Sequence, residues 1–360
     1  MSGTLRIGLI GCGEIAIENA KAIQSAPNAA MTMVMDVNPA VAEDMARRYQ
    51  LPFTTSADEL LSRPDIDAVL VSVPHFLHAP LTLQAARYGK HVMVEKPMAT
   101  TLADAEAMLT ACREAGVKLS VVYCQRYLPY VQKARAIIQQ GALGRLLGLT
   151  LIHYLDKPVS YWTGGRTGRV ATDWRFSKEK GGGGILVFNL VHYLDLIQYI
   201  TGLEATRAYS EYGIFNSPST VETEDTISVS LRYRQPNEAG ADQLIGNVTA
   251  ASCVRGAVMA HQQLRIWGTE GQLIVGEPFQ FYSLHRVDHY NPGEWHTLVD
   301  WEWGIERREY VQHFAQAVLC GEEPPVSPAD SCSVQAIIEA IYASQESGHP
   351  IEIEAIRYAI

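Results

Sequence analysis

The stretch "LRIGLIGCGEIAIENA", residues 5–20, joins an apolar run to a glycine turn and then to a helix-like run. Leu5–Ile10 reads as a buried strand, and Gly11-Cys12-Gly13-Glu14-Ile15-Ala16 gives the spacing G-x-G-x-x-A. In that pattern the first glycine makes the tight turn and the second lets backbone approach a pyrophosphate. A small third residue, here Ala16, lets helix and strand pack closely. Phosphate then meets the free N–H groups and the positive dipole end of the helix. The pattern recurs by chance, so its surroundings decide. The next strand-like run, "MTMVMD" at 31–36, ends in Asp36, 20 residues after Ala16. An acid there hydrogen-bonds adenosine ribose hydroxyls and repels a 2′-phosphate, which predicts NAD over NADP. The alternative is a packing turn beside a helix-capping Asp36.

Outward from this stretch, strand-like runs ("AAMTMVMD", "DAVLVSV", "HVMVE", "KLSVVYC") alternate with helix-like ones such as "PAVAEDMARRY" and "TLADAEAMLTACREAG". In the last, Thr101 caps the helix, Asp104 sits in its first turn and Gly116 ends it. Near-continuous apolar strands alternating with amphipathic helices predict βαβ units and a parallel sheet covered on both faces. After about Gln125 the texture changes. A helix, a strand ("RLLGLTLIHYL") and a long irregular section lead into the helical "ILVFNLVHYLDLIQYITG", followed by six short strand candidates, with "GTEGQLIVG" as a hairpin. Serial short strands predict a large open, mostly antiparallel sheet. Two helices close the chain. The expected fold class is α/β, with a dinucleotide-binding domain at 1–125 and a second α/β domain at 126–360, its last helices packing back near the first domain.

The chain has 360 residues and a formal net charge of −10, with no dominant basic stripe, which argues against a nucleic-acid partner. No apolar run is expected to be long enough to span a membrane, and no signal peptide is expected ahead of Leu5. Six scattered cysteines without a C-x-x-C pair suit thiols in a reducing compartment, so the cytoplasm is expected. "HRVDH", with His285, Asp288 and His289, has metal-like spacing but lacks the Glu of H-E-x-x-H on a helix, so no metal is expected.

"HVMVEKP", residues 91–97, ends a strand in an acid, a base and a proline. Ser72, Val73 and Pro74 end the strand before it, followed by His75 and His78. Ligands of an open parallel sheet lie at these carboxyl ends. Lys96 there points toward a bound nicotinamide. Burial and the charge of an oxidised nicotinamide lower its pKa from about 10.4 into the range of an acid–base group. Glu95 orients neighbours or tunes Lys96. A surface turn with a Glu–Lys pair is the alternative.

These residues resemble the Gfo/Idh/MocA oxidoreductases, which include glucose–fructose oxidoreductase and inositol dehydrogenases. The resemblance rests on "IGLIGCGEIA", "VSVPHFLHAP", "HVMVEKPMATTLADAEAML", "YCQRYLP", "GALGRLLG", "DWRFSKEKGGGG" with the downstream His192, and "AIIEAIYASQESGHPIEI". It implies a Rossmann domain followed by an α/β domain whose open sheet serves a homodimer or homotetramer. It also implies NAD(P) and a sugar, cyclitol or related polyol as substrate. Lys96 and His192 are the implied acid–base pair, and Gly11, Cys12, Gly13, Glu14, Ile15, Asp36, Ser72, Val73, Pro74, His75, His78, Glu95, Lys96 and Arg126 the expected cofactor contacts. Arg126 is implied by the family match.

Lys96, Arg126, Tyr154, Trp162, Arg166, Asp173, Trp174, Arg175 and His192 are the substrate candidates, because aromatic faces with Arg and Asp suit a polyhydroxylated ring. One departure stands out. Many members carry an acid four residues before the His; here "GGGGILVFNLVHYLDL" puts Phe188 there, and residues four apart share a helix face. Asp195 reads as structural. Three functions compete: a sugar or cyclitol dehydrogenase, a glycoside-cleaving enzyme that uses NAD transiently, and a non-catalytic NAD-binding regulator.

Overall fold

The computed structural model describes residues 3–165, 167–218, 220–236, 244–258, 262–299 and 304–354. The first elements are β1 (Leu5–Ile10), α1 (Ala16–Ser25), β2 (Ala29–Met35), α2 (Pro39–Tyr49), β3 (Phe53–Thr54), α3 (Ala57–Leu61) and β4 (Ala68–Val71). Then come α4 (His78–Arg87), β5 (His91–Val94), α5 (Leu102–Glu114), β6 (Leu119–Val121), α6 (Pro129–Gln139) and β7 (Leu146–Tyr154). Two short helices, α7 (Ser160–Gly164) and α8 (Lys178–Gly181), precede a π-helical turn (Leu186–Leu190) and α9 (Val191–Thr201). The remaining strands are β8 (Glu204–Gly213), β9 (Thr226–Arg234), β10 (Leu244–Ala251), β11 (Gln263–Gly268), β12 (Gly271–Val275), β13 (Phe279–Ser283) and β14 (Trp295–Leu298). The chain ends with α10 (Glu306–Cys320), α11 (Pro328–Ser347) and β15 (Ile351–Glu352). It divides into two compact units: Met1–Cys124 with Pro158–Gly182 and Gly304–Gln335, and Gln125–Lys157 with Gly183–Trp303 and Ala336–Ile360.

The first unit holds a six-stranded sheet in the order β3-β2-β1-β4-β5-β6, every pairing parallel. β4 is buried throughout, and β1 and β5 nearly so. That is the covered sheet the apolar runs imply, and each fully buried Ile, Leu or Val contributes about 1.5–3 kcal/mol. Strand order reverses between β1 and β4, so a crevice opens at their carboxyl ends. Local signals hold as read: Thr101 Oγ1 accepts from Asp104 N at 3.1 Å, and Gly116 takes φ +68° behind α5. The two-residue strand β3 was not among the expected strands; it is too short to show a pattern.

The second unit holds a nine-stranded sheet in the order β14-β13-β12-β11-β7-β10-β9-β8-β15. Only the central β7–β10 pairing is parallel, so the sheet is mixed but mostly antiparallel. Buried and exposed positions alternate along β9 and β10, giving a sheet with one buried face. The β11–β12 hairpin forms where expected. α6 packs on α9. One sequence expectation needs correcting: Lys178–Thr201 is long and apolar enough to pass for a membrane span, but 72% of its 18-residue apolar window is buried, as in a core helix. No disulfide joins any of the six cysteines.

Candidate functional site

The glycine turn follows β1. Gly11 takes φ +91°, and a Cβ there would lie 2.3 Å from Ser72 O, so only glycine fits. Its N–H donates to Met35 O at 2.7 Å, which ties the turn to the end of β2. A Cβ on Gly13 would meet nothing within 4 Å, leaving the turn open to a ligand's approach. Ala16 is fully buried against the sheet. Asp36 Oδ2 accepts from Cys12 N at 2.8 Å and Oδ1 from Asn38 N at 2.9 Å, while Asn38 caps α2. Asp36 is therefore half-buried beside the glycine turn and is not the helix cap. Turn, open approach and acid together fit an NAD-sized dinucleotide. Asp36→Ala is expected to weaken NAD and relax discrimination against NADP by about tenfold or more, read as the ratio of the two kcat/KM values.

Glu95 and Lys96 follow β5, and their setting answers why a strand should end in an acid and a base. Glu95 is buried, and its Oε1 accepts from Asn19 Nδ2 at 3.0 Å and from Arg307 Nη1 at 2.7 Å. Asn19 on α1 also donates to Ser72 Oγ at 3.1 Å, and Arg307 Nη1 reaches Asn19 Oδ1 at 2.6 Å. Burial pushes the Glu95 carboxyl up, but the charges of Arg307 and Lys96 outweigh it and hold the carboxyl below its usual range. The acid is thus an anchor that joins α1, β4, β5 and α10. Lys96 is half-buried. Burial lowers its pKa; Glu95 opposes this, and Arg307, then Arg175, reinforce it.

His78 is buried, with Nδ1 2.7 Å from Pro97 O and Nε2 3.0 Å from Val73 O. Carbonyls only accept, so a neutral ring donates to one of the two at a time. The ring braces the β4 turn against the Lys96-Pro97 turn. His75 is also buried and donates from Nδ1 to Gly181 O at 2.7 Å, with its ring 4.6 Å from that of Trp174. Burial, then the His78 and Lys96 charges, keeps its pKa well below the usual value. Both histidines, expected as cofactor-edge residues, make ring bonds to backbone carbonyls of the β4 and β5 turns and of Gly181. Arg175 lies over Trp174 and Tyr161 at 4.7 and 5.4 Å and donates to Thr172 Oγ1 at 3.0 Å. Trp162 is buried with its ring edge-on to Tyr161. Asp173 is exposed and pairs with Lys180 at 3.3 Å. Arg166 lies outside the described residues.

In the second unit, Arg126 is buried and forks onto Asp195, Nη2 to Oδ1 at 2.6 Å and Nε to Oδ2 at 2.9 Å, beneath Tyr199. The expected cofactor and substrate contact thus gives much of its guanidinium to an internal pair, and Asp195 is structural as read. Tyr154 is half-buried at the end of β7. His192 is half-buried in the first turn of α9, next to the π turn, a feature frequent at functional sites. Where relatives are expected to carry an acid, the buried Phe188 faces the Lys157 ammonium, 5.3 Å from its ring centroid. The π turn is held by Glu224, a residue sequence reasoning missed. Its carboxylate accepts from Gly184 N at 2.9 Å, Leu186 N at 3.0 Å and Tyr342 Oη at 3.0 Å. Asn19, Arg307 and Glu224 had no local signal; only the rule that a buried acid needs donors pointed to partners of their kind.

A parallel sheet with an open glycine turn, a ribose-side acid and a buried Glu anchoring a half-buried Lys defines a dinucleotide-dependent oxidoreductase. Residues 5–123 match the NAD-binding Rossmann fold of the oxidoreductase family, and residues 131–274 match the GFO/IDH/MocA C-terminal domain. The chain belongs to the GFO/IDH/MocA oxidoreductases, and its cofactor is NAD. It is 26% identical to scyllo-inositol 2-dehydrogenase (NAD(+)) of Bacillus subtilis, over 99% of this chain and 98% of that one. It is also 26% identical to 2,7-anhydro-N-acetylneuraminate hydratase of Escherichia coli, over 94% and 92%. A solved structure of levoglucosan dehydrogenase with NADH and levoglucosan is 24% identical, with a TM-score of 0.84 over 97% of this chain and 99% of that one.

Proposed function

We propose that the protein transfers a hydride between NAD and a secondary hydroxyl of a sugar, cyclitol or sugar derivative, with Lys96 as the principal acid–base group. The observation that carries this is Lys96 itself, half-buried at the end of β5 with its ammonium form disfavoured by burial and by two arginine charges. When bound, NAD supplies the hydride acceptor. Lys96 Nζ, when neutral, takes the hydroxyl proton, and the Glu95–Asn19–Arg307 network fixes the backbone that presents it. His192 is proposed as the second acid–base group on the sequence resemblance. Tyr154, Trp174 and Arg175 are proposed to recognise the ring. A polyol substrate is supported by the inositol and levoglucosan named in the relatives. Cytoplasmic location and a homodimer or homotetramer belong to the same proposal.

The test is a panel of cyclitols, anhydrosugars and aldoses with NAD, followed by NADH absorbance. At least one is expected to be oxidised; no turnover on any would sink the reading. In the oxidative direction kcat/KM should rise with pH through an apparent pKa below the ~10.4 of a free lysine. The base must be neutral, so acid removes activity and alkali restores it. The same group makes the reductive direction fall over that window. A profile flat across it would remove Lys96 from the proton step. A second reading, redox-neutral chemistry with transient oxidation, is favoured by the hydratase among the relatives. Its mark is product without accumulating NADH.

A further inference from the structure

A strap, described at Gly165 and residues 167–169, lies against the glycine turn within the first unit. Thr167 N donates to Glu14 Oε1 at 2.6 Å. Gly165 takes φ +74°, a conformation that favours glycine, and its backbone lies close to the Glu14 carboxylate. Arg169 Nε donates to Cys12 O at 3.2 Å and its Nη1 to Asp44 Oδ2 at 2.6 Å. Its Nη2 is buried and has no hydrogen-bond partner among the described residues. A buried cationic donor left unpaired is costly unless another molecule completes it.

The surrounding charges favour an anion as that molecule. Asp36 is occupied by Cys12 N and Asn38 N, and Glu14 by Thr167 N. Asp44 is shared among Arg169, Arg47 and Arg48, so it does not neutralise Arg169 alone. Gly13, one residue beyond the Cys12 carbonyl that Arg169 holds, is the open point of the turn. We propose that Arg169 is a binding residue for the pyrophosphate of the dinucleotide, its Nη2 donating to a phosphate oxygen while Nε and Nη1 lock the strap to the glycine turn and α2. The inference rests on the reading that this turn takes NAD. It assigns the strap a share in holding the phosphates beside the glycine turn.

The experiment is titration of the full-length protein and of Arg169→Met with NADH, ADP-ribose and adenosine, by calorimetry for the first two and by displacement of NADH fluorescence for adenosine. NADH and ADP-ribose are expected to bind the variant about tenfold more weakly, while adenosine keeps its wild-type affinity. Equal losses for all three ligands would make Arg169 a structural pin, and unchanged NADH affinity would leave it no role in binding; either overturns the inference. If Arg169→Met does not fold, Arg169→Lys is read by the same criterion. It keeps the charge but loses the fork, so a smaller loss confined to the two phosphate-bearing ligands is expected. A wild-type protein that binds no NADH would instead defeat the cofactor reading and is distinguishable from both.

Discussion

Lys96→Met is expected to lower kcat by roughly 10²- to 10⁴-fold in a protein that still takes up NADH. The argument starts from position. Lys96 follows β5, one of the strands whose carboxyl ends line the crevice of this sheet. Burial makes its ammonium costly, and Arg307 and Arg175 make it costlier. A lysine held this way gives up its proton more readily than a free one, which an acid–base role requires and an ion-pairing role does not. Lys96→Arg separates base from donor: a guanidinium keeps the charge and the hydrogen bonds but does not deprotonate in a protein. If Lys96 moves the proton, the arginine variant is as slow as the methionine one. If it only orients substrate, the arginine variant keeps much of its rate. Steady-state rates paired with NADH fluorescence titration decide, and a methionine variant within a few-fold of wild type would remove Lys96 from the chemistry.

How far the sequence reached depended on the distance between partners. The glycine turn was legible because its requirements are local: Gly11 needs φ +91° and Ala16 must be small, and both lie within one turn of the strand. The Glu95-Lys96-Pro97 turn was legible as a place, but its logic was not, since Glu95 is completed by Asn19 and Arg307, 76 and 212 positions away. Burying a carboxylate demands donors, yet nothing in its neighbours says which segment delivers them. Arg126 shows the same limit. Its partner Asp195 lies 69 positions away, and no local signal pairs the two. Strands β3 and β15 are two residues each, too short for alternation. The π turn before His192 has no residue signature, so the four-residue spacing from Phe188 to His192 rested on an ordinary helix that the chain does not form there.

The pairing of Arg307 with Glu95 leads to the largest expected change in stability. Removing one partner of a buried ion pair costs about 3–5 kcal/mol, because the other charge stays buried without compensation. Arg307→Met leaves Glu95 with the Asn19 amide, the Lys96 backbone N–H at 3.3 Å and the Lys96 charge; Glu95 is 4% exposed, so water cannot take over. The urea midpoint should fall accordingly, and Arg307→Met with Glu95→Gln should recover much of the loss, since the double variant no longer buries an uncompensated carboxylate. The pH dependence fixes the sign. In the wild type the Glu95 pKa is depressed, so its contribution is present above the unfolded value near 4.3 and fades as pH falls through the folded one. Without Arg307, burial dominates and the carboxyl is raised. The folded variant then binds a proton that its unfolded state has released, and the variant loses stability as pH rises. The gap between wild type and Arg307→Met should therefore narrow as pH drops from about 7 toward the carboxylate range, and a gap independent of pH would mean that Arg307 acts by packing. The same substitution reaches the chemistry. Arg307 lowers the Lys96 pKa and Glu95 raises it, so losing Arg307 moves the oxidative pH profile to the alkaline side and Glu95→Gln alone moves it to the acid side. Opposite displacements from two neighbours of one lysine are what a charge network produces and what general loosening of the fold does not.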